Sequence, residues 1–411
     1  MAIILKDAEV FTDGSFLRRD ITIDGNEDRE FELEGFCVLL GLVDPHVHLR
    51  EPGFPYKETI KTGSEAAAVS GYSHIFAMPN LKPVPDSREH LKEELDIIER
   101  DAYINVLPFG SITAAEKGNT LSDMSGMNES VIGFSDDGRG VQDPAVMKDA
   151  MELCASLDSI IAAHCEDESL LTGGYVHDGE YAKENGLPGI SSESEWRMIE
   201  RDLKLADETG CRYHVCHIST KESVTLIRDA KRSGVDVSCE TAPHYLVFAD
   251  EDIRDDGRFK MNPPIRSASD REALIEGITD GTVDMIATDH APHSAKEKSG
   301  GLKGSFNGIV GLETAFPVLY TTLVRRGVIT LGKLTELMSI NARRRFRIKE
   351  SEADGFGKDA AVFDLSSGYN IDTERFRSMG RSTPFEGMYV FGSCVMNITG
   401  GRLVYIDSSI V

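Results

Sequence analysis

The stretch VLLGLVDPHVHLREPG, residues 38–53, carries the strongest structural signal in the chain. Its apolar first part is typical of a buried strand, and polar residues begin where that part ends. Side chains two residues apart on a strand point to the same face, so His46 and His48 can present two imidazoles to one metal ion. The stretch therefore predicts a buried strand with a metal site at its carboxyl end.

Short apolar runs of this kind recur along the chain, separated by stretches of helical period such as HLKEELDIIERD (90–101), PAVMKDAMELCASL (144–157), SEWRMIERDLKLADETG (194–210) and KESVTLIRDAKRSG (221–234). The predicted strands are Val38–Val43, His74–Met78, Tyr103–Phe109, Val131–Ser135, Ser159–Ala163, Arg212–Cys216, Val235–Cys239 and Asp284–Thr288. Strands that alternate with helices in this way favour an α/β fold, a (β/α)₈ TIM barrel, whose typical length is about 250 residues. A doubly wound sheet shows the same alternation, so the repeat alone does not separate the two folds.

The positions of the polar residues favour the barrel. Metal-binding residue types follow five different predicted strands, namely His46 and His48, Asp136 and Asp137, His164, His217, and Asp289. Any one of them could be a satisfied buried histidine or a loop carboxylate. Barrel enzymes assemble their sites at the carboxyl ends of the strands, so the repeated placement predicts one shared site.

The chain ends differ from the middle. Residues 1–42 show short strands with turns at Asp13-Gly14 and Asp24-Gly25, and residues 354–411 show further strands in AAVFDL, VFGSCVMNITG and GRLVYID. Each flank is too small to bury a core alone. We therefore expect one composite β-sandwich domain from 1–42 and 354–411, beside a barrel domain from 43–353.

Composition limits the classes of function. The 411 residues carry a formal net charge of −25, which argues against nucleic-acid and anionic-membrane partners. The seven cysteines form no CxxC pair, as expected of reduced thiols in a cytosolic protein. The chain shows no apolar run of about 18 residues and no basic, apolar leader, so the expected location is cytoplasmic.

The candidate ligands suit zinc, which takes nitrogen and oxygen ligands and can keep a position open for water. Four histidines and two carboxylates exceed what one tetrahedral ion needs, so two ions with a bridging carboxylate are favoured. A water shared by two zinc ions has a pKa of about 7 or below and supplies hydroxide at neutral pH. This chemistry predicts a hydrolase.

The chain resembles the amidohydrolase superfamily and, within it, the dihydroorotases. The matching segments are GLVDPHVHLREPG, FAMPN, GFSDDGRGVQ, AHCED, YHVCHISTKES, KMNPPIR, IATDHAPH and GIVGLETAFP, over residues 41–317, with GKDAAVFDL in the tail. Related allantoinases and dihydropyrimidinases place a carboxylated lysine after the fourth strand, where this chain has GFSDDG. It thus resembles the branch in which an aspartate replaces that lysine, with Asp137 as first choice and Asp136 as second.

The resemblance implies a role for each matching residue. His46 and His48 would bind one zinc ion and His164 and His217 the other, with Asp137 and hydroxide as bridges. Asp289 would contact the first zinc ion and act as the general base. The implied substrate-binding residues are His48, Arg50, Asn80, Asn262 and His293, with backbone groups of Asn307 and Gly308. Arg50 suits this role physically, because a guanidinium binds a carboxylate through two parallel hydrogen bonds.

The implied activity is the zinc-dependent, reversible hydrolysis of dihydroorotate to N-carbamoyl-aspartate in pyrimidine biosynthesis. The resemblance also implies a homodimer that can associate with aspartate transcarbamoylase. Two alternatives stay open: another cyclic amidase, such as an allantoinase or dihydropyrimidinase, and an inactive scaffold protein. Of the other histidines, His214 is expected to face away from the metal, and His244 and His290 to lie close behind the ligands.

Overall fold

The computed structural model describes residues 1–12, 15–348, 356–408 and 410. The turn predicted at Asp13-Gly14 and the predicted domain boundary at 353/354 lie outside these residues. The described strands are β1 (Ala2–Thr12), β2 (Ser15–Asp24), β3 (Arg29–Glu32), β4 (Cys37–Leu39), β5 (Leu42–Val47), β6 (Tyr72–Ala77), β7 (Asn105–Pro108), β8 (Ile160–Ala163), β9 (Val176–His177), β10 (Gly189–Ile190), β11 (Arg212–Val215), β12 (Val237–Thr241), β13 (Met285–Ile286), β14 (Ala360–Asn370), β15 (Tyr389–Thr399) and β16 (Arg402–Ile406).

Helices alternate with most of the central strands. They are α1 (Ile60–Val69), α2 (Arg88–Asp101), α3 (Met124–Met127), α4 (Pro144–Ser156), α5 (Glu180–Asn185), α6 (Glu193–Thr209), α7 (Lys221–Arg232), α8 (Pro243–Val247), α9 (Ala268–Asp280), α10 (Gly301–Gly304), α11 (Ala315–Leu319), α12 (Leu331–Thr335) and α13 (Asn341–Arg345). Single 3₁₀ turns lie at Ala114–Glu116, Asn128–Ser130, Glu168–Leu170, Asp250–Asp252, Gly257–Phe259 and Thr373–Arg375, and π-helical turns at Tyr320–Val324 and Glu336–Ile340. The four helical stretches predicted from the sequence correspond to α2, α4, α6 and α7.

Strands from both chain ends form one seven-stranded sheet in the order β16-β15-β14-β4-β1-β2, with β3 paired to β1. β4 links the two ends, because Val38 pairs with Val10 of β1 on one side and with Val362 of β14 on the other. Apolar side chains from both ends, including Ile23 and Ile398, share one buried cluster. Neither end therefore builds its core alone.

The central strands are parallel. β5, β6 and β7 form one sheet, and β8, β11, β12 and β13 form another. Isolated parallel bridges connect Phe134 to Gly110, just after β7, and to Ile161 of β8. A further bridge connects His290, after β13, to Val47 of β5. Because the pairings are parallel, the carboxyl ends of these strands lie at the same edge.

Two predicted strands differ from the structure. The run Val38–Val43 divides between β4 and β5, which belong to different sheets. The break lies at Gly41, where a Cβ atom would come within 2.6 Å of the Ser73 side chain. The segment Val131–Ser135 forms no strand, because only Phe134 makes bridges to both of its neighbours.

Local capping fixes where the helices behind the site begin. The side chain of Thr220 accepts a hydrogen bond from the Ser223 N–H at the start of α7. Ser267 and Asp270 form a reciprocal capping box at the start of α9. Among the residues that the structure describes, no helix is long and apolar enough to cross a membrane.

Candidate active site

His46 and His48 lie at the carboxyl end of β5, and their ring centroids are 5.3 Å apart. The Nδ1 atom of His46 lies 2.9 Å from Glu240 Oε1, and that of His48 lies 2.9 Å from Asn80 Oδ1. Both partner oxygens accept, so each Nδ1 carries the proton. Each Nε2 atom therefore turns an unprotonated lone pair toward the site.

Asp137 is the carboxylate that these lone pairs face. Its oxygens lie 3.4 Å from His46 Nε2, 3.5 Å from His48 Nε2 and 3.4 Å from His217 Nε2. His164 Nδ1 lies 3.8 Å away. Asp137 is thus surrounded by the four histidines singled out in the sequence.

Asp136, the second choice from the sequence, points elsewhere. Its carboxylate accepts hydrogen bonds from the backbone N–H groups of Ile112 and Thr113 and from the Thr113 hydroxyl. These bonds tie the segment after Phe134 to the loop after β7. They leave Asp137 as the neighbouring carboxylate that faces the histidines.

The arrangement fits a divalent cation. His46, His48 and Asp137 form one group of side chains able to hold a metal ion, and Asp137, His164 and His217 form a second. His46 Nε2 and Asp137 Oδ1 are buried without a hydrogen-bond partner among the described residues. Two acceptors facing each other in this way repel unless a cation or proton lies between them.

Asp289 is a second carboxylate beside His46 and His48. It follows β13, and its Oδ1 atom lies 3.2 Å from His48 Nε2 and 3.7 Å from His46 Nε2. Thr288, one residue earlier, donates to the buried carboxylate of Asp44 and so ties this segment to β5.

Three site residues adopt left-handed backbone conformations that non-glycine residues rarely take. The φ angles are 62° for Arg50, 32° for His217 and 48° for Asp289. Such strain costs about 1–3 kcal/mol per residue and clusters at functional sites. The fold here holds three chemically important side chains against a local backbone preference.

Glu240, at the end of β12, is a functional candidate that the sequence analysis missed. Its buried carboxylate contacts His46 Nδ1 at 2.9 Å and His214 Nε2 at 3.0 Å, and His214 Nδ1 contacts Ser238 Oγ at 2.8 Å. Burial would raise the pKa of Glu240, but the hydrogen bonds from His214 and His46 lower it to about 2. The available signal was a charged residue two positions after Ser238, on the same face of a buried strand.

A cavity of about 170 Å³ opens beside these groups. It brings together all the substrate-binding residues implied by the sequence: His48, Arg50, Asn80, Asn262, His293, Asn307 and Gly308. Asp137, His164, His217 and Asp289 also line it, whereas His46 lies behind the wall.

The guanidinium of Arg50 lines this cavity and has N–H groups available for a ligand. Its Nε atom donates to the Pro292 carbonyl at 3.3 Å, and no carboxylate of the described residues lies within ion-pair distance of the guanidinium. Burial lowers the pKa of Arg50 to about 10, which leaves it charged at neutral pH. The geometry suits an anionic group brought in from solution.

The two asparagines make different contacts. Asn80 orients His48 through the bond to Nδ1, and its Nδ2 lies 3.4 Å from Asp137 Oδ2. Asn262 donates to Glu166 Oε2 at 3.0 Å, and its buried Oδ1 has no partner among the described residues. Glu166, which the sequence analysis did not single out, also lies 3.6 Å from His164 Nε2.

The loop carrying Asn307 and Gly308 is held by hydrogen bonds to neighbouring segments. Lys57 donates to His293 Nδ1 at 3.2 Å, so the ring proton lies on Nε2. His293 Nε2 then donates to the Asn307 carbonyl at 2.7 Å. The Gly308 N–H donates to the Lys260 carbonyl at 3.0 Å, and the Gly308 carbonyl accepts from Lys298 at 2.6 Å. Both backbone polar groups of Gly308 are thus already paired.

Of the remaining histidines, His290 lies behind Asp289, where its backbone carbonyl accepts from the His48 N–H at 2.8 Å. Its Nε2 atom lies 3.4 Å from Glu58 Oε2. His244 is buried against Tyr245, and neither histidine belongs to the metal-type groups found among the described residues.

The chain is similar to known proteins along nearly its whole length. Residues 35–223 match the family model described as Dihydro-orotase-like. The chain is 47% identical to a dihydroorotase of Geobacillus kaustophilus, over 98% of this chain and 99% of that protein. It is 45% identical to a dihydroorotase of Bacillus pumilus over the whole of both chains.

Solved structures show the same fold. An L-hydantoinase (dihydropyrimidinase) from Arthrobacter aurescens matches with a TM-score of 0.87 at 25% identity, over 100% of this chain and 97% of that one. A dihydropyrimidinase from Brevibacillus agri matches with a TM-score of 0.84 at 21% identity, over 100% and 96%. The near-complete sequence matches, together with the histidine and aspartate groups at the strand ends, place the chain in the dihydroorotase family.

Proposed function

We propose that this protein catalyses the reversible hydrolysis of (S)-dihydroorotate to N-carbamoyl-L-aspartate, a step of de novo pyrimidine (UMP) biosynthesis. The observation that carries the proposal is the Arg50 guanidinium, which has no carboxylate partner among the described residues, in the same cavity as the histidine and aspartate groups. Both reactants carry a carboxylate, which that guanidinium can bind. The near-full-length dihydroorotase relatives support the same activity.

The proposed cofactor is zinc, with two ions per subunit. His46 and His48 would hold the first ion and His164 and His217 the second, with Asp137 shared and Asp289 beside the first. Ions bound there would polarise the ring carbonyl and make a shared water acidic enough to attack at neutral pH.

Asp289 is the proposed general base and acid. As a carboxylate beside the proposed first ion, it can accept the proton that the attacking water releases. It then delivers that proton to the departing ring nitrogen, and in cyclisation it protonates the leaving water instead. One side chain thus serves both directions of a reversible reaction.

The remaining cavity residues are proposed to position the ring. Arg50 would bind the carboxylate, and the unpaired Oδ1 of Asn262 would accept from a ring or ureido N–H. His293, Asn307 and Gly308 also line the cavity. Asn80 already accepts a hydrogen bond from His48, so we propose that it contacts the substrate and keeps that bond at the same time.

The architecture proposed for the whole chain is a closed (β/α)₈ barrel, 43–353, with a β-sandwich domain from 1–42 and 354–411. The bridges of Phe134 and His290 support closure, because they connect the two parallel sheets at both edges. A homodimer, association with aspartate transcarbamoylase and a cytoplasmic location are proposed from the family resemblance. Sedimentation of the purified protein, alone and mixed with that transferase, tests the first two.

The competing activity is that of another cyclic amidase, because hydantoinases and dihydropyrimidinases share the fold. Dihydrouracil, a ring substrate of the dihydropyrimidinase type, has no carboxylate for Arg50 to bind. The deciding experiment is the cyclisation of N-carbamoyl-aspartate, with and without a chelator, alongside turnover of dihydroorotate, allantoin and dihydrouracil. We expect chelator-sensitive turnover of dihydroorotate; preference for a neutral ring would reject the proposal, and no turnover with zinc bound would favour an inactive scaffold.

A further inference from the structure

A buried lysine, Lys298, contacts the backbone of Gly308, which lines the cavity. Its Nζ atom donates to the carbonyl oxygens of Lys260 at 3.0 Å, Phe306 at 2.8 Å and Gly308 at 2.6 Å. An ammonium has three donors and no acceptor, so these three carbonyls use its entire capacity.

The three carbonyls belong to segments that are separate in sequence but adjacent in the cavity wall. Lys260 precedes Asn262 by two residues, and Gly308 lines the cavity itself. The Lys260 carbonyl also accepts from the Gly308 N–H at 3.0 Å. One buried cation therefore connects the Asn262 segment to the loop of residues 306–308.

The turn that carries Lys298 is itself fixed. The Ser294 hydroxyl and N–H both donate to Glu297 Oε2, and the Lys298 N–H donates to the Ser294 carbonyl at 3.2 Å. His293, at the start of this turn, binds the Asn307 carbonyl. The same turn thus holds the loop through two side chains, the ammonium of Lys298 and the imidazole of His293.

The burial of Lys298 is unusual. Its exposed fraction is 9%, and within the described chain no carboxylate forms an ion pair with it. Burial and the nearby charge of Lys260 lower the pKa of Lys298, whereas hydrogen bonds to the three carbonyls favour its ammonium form. A lysine without a counter-ion is costly to bury, so its position points to a geometric task.

We propose that Lys298 is a positioning residue for the substrate: its ammonium sets the shape of the 306–308 loop and the distance between that loop and Asn262. The inference rests on the proposed function only for the identity of the substrate. It deepens that function, because it explains how a loop whose backbone groups are already paired keeps one defined shape beside the ring.

Lys298→Met tests the proposal, since it keeps the unbranched side chain up to the ε position and removes every donor. We expect KM for N-carbamoyl-aspartate to rise ~10-fold or more, with kcat changed much less and zinc content unchanged. Hydrogen exchange of the amides of residues 306–309 should accelerate. Lys296→Met, at an exposed lysine of the same turn, is the matched control and should leave both readouts unchanged.

A folded, zinc-loaded Lys298→Met protein with unaltered KM and unaltered exchange at residues 306–309 would overturn the proposal. Should that variant fail to fold, Lys298→Arg takes its place, because a planar guanidinium keeps the charge but cannot direct three donors at carbonyls around one point. Wild-type KM and exchange in Lys298→Arg would then reject the role. Lack of dihydroorotate turnover by the wild-type protein would reject the proposed function instead, and the exchange measurement would still test Lys298.

Discussion

Replacing Glu240 with glutamine should weaken zinc binding without unfolding the protein. The carboxylate holds His46 Nδ1 at 2.9 Å and His214 Nε2 at 3.0 Å, so it fixes the ring and the tautomer that leave His46 Nε2 free to bind. An amide of the same shape still accepts from His46. Its NH₂ group then faces His214, which can respond by moving its proton to Nδ1, toward Ser238.

The size of the effect follows from these contacts. Glu240→Gln removes the negative charge that makes the His46 imidazole a stronger ligand, a change that typically costs about 10–100-fold in metal affinity. That range corresponds to ~1.4–2.7 kcal/mol of binding free energy. The loss should appear in the dissociation constant for zinc, because the shape of the site is preserved.

The assay is a titration of metal-free protein with zinc in competition with a chromogenic chelator. Ser238→Ala is the matched control, because it acts at the far end of the same hydrogen-bonded chain and should change the affinity by no more than ~3-fold. Circular dichroism and thermal melting establish that each variant is folded. A folded Glu240→Gln protein that binds zinc as tightly as wild type would refute the reasoning.

Three further predictions follow from individual side chains. Asp289→Asn should lower kcat by ~10²–10⁴-fold with zinc retained, and turnover near the wild-type rate with metal intact would disprove the acid–base role. Arg50→Met should raise KM by ~10–100-fold through the loss of a charged hydrogen bond worth about 1.5–3 kcal/mol, whereas an unchanged KM or lost zinc would reject the carboxylate clamp. Glu94 is buried on α2 without a hydrogen-bond partner, and burial raises the pKa of its carboxyl well above the usual value. The folded state therefore loses stability as the pH rises above about 4.5, so Glu94→Met should add ~1–3 kcal/mol at pH 8 and less at pH 5; an equal or lower melting temperature at pH 8 would contradict this.

Much of the placement of the candidate site residues was predictable because its signals are local. The two-residue period of a strand puts His46 and His48 on one face, and His164, His217 and Asp289 each come directly after another apolar run. The same locality explains why α2 and α7 were predicted within a few residues of their observed ends. Amphipathic periods and capping residues lie within the segment that they control.

The remaining features depend on contacts between distant parts of the chain. Sequence left Asp136 and Asp137 as alternatives; their different partners, Thr113 for one and the histidines for the other, appear only in three dimensions. The contact of His46 with Glu240 joins residues 194 positions apart, and no local pattern encodes such a pair.

The sequence by itself indicated most of the alternating strands and helices, the resemblance to the dihydroorotase family and the residue types at the strand ends. The tertiary structure decided that Val38–Val43 divides between two sheets, that Asn80 orients His48, and that Lys298 lies beneath the 306–308 loop. The physical reason is that periodicity reports only which face of an element is buried. Hydrogen bonds of buried polar groups depend on which other elements pack against that face, and only the folded chain determines this.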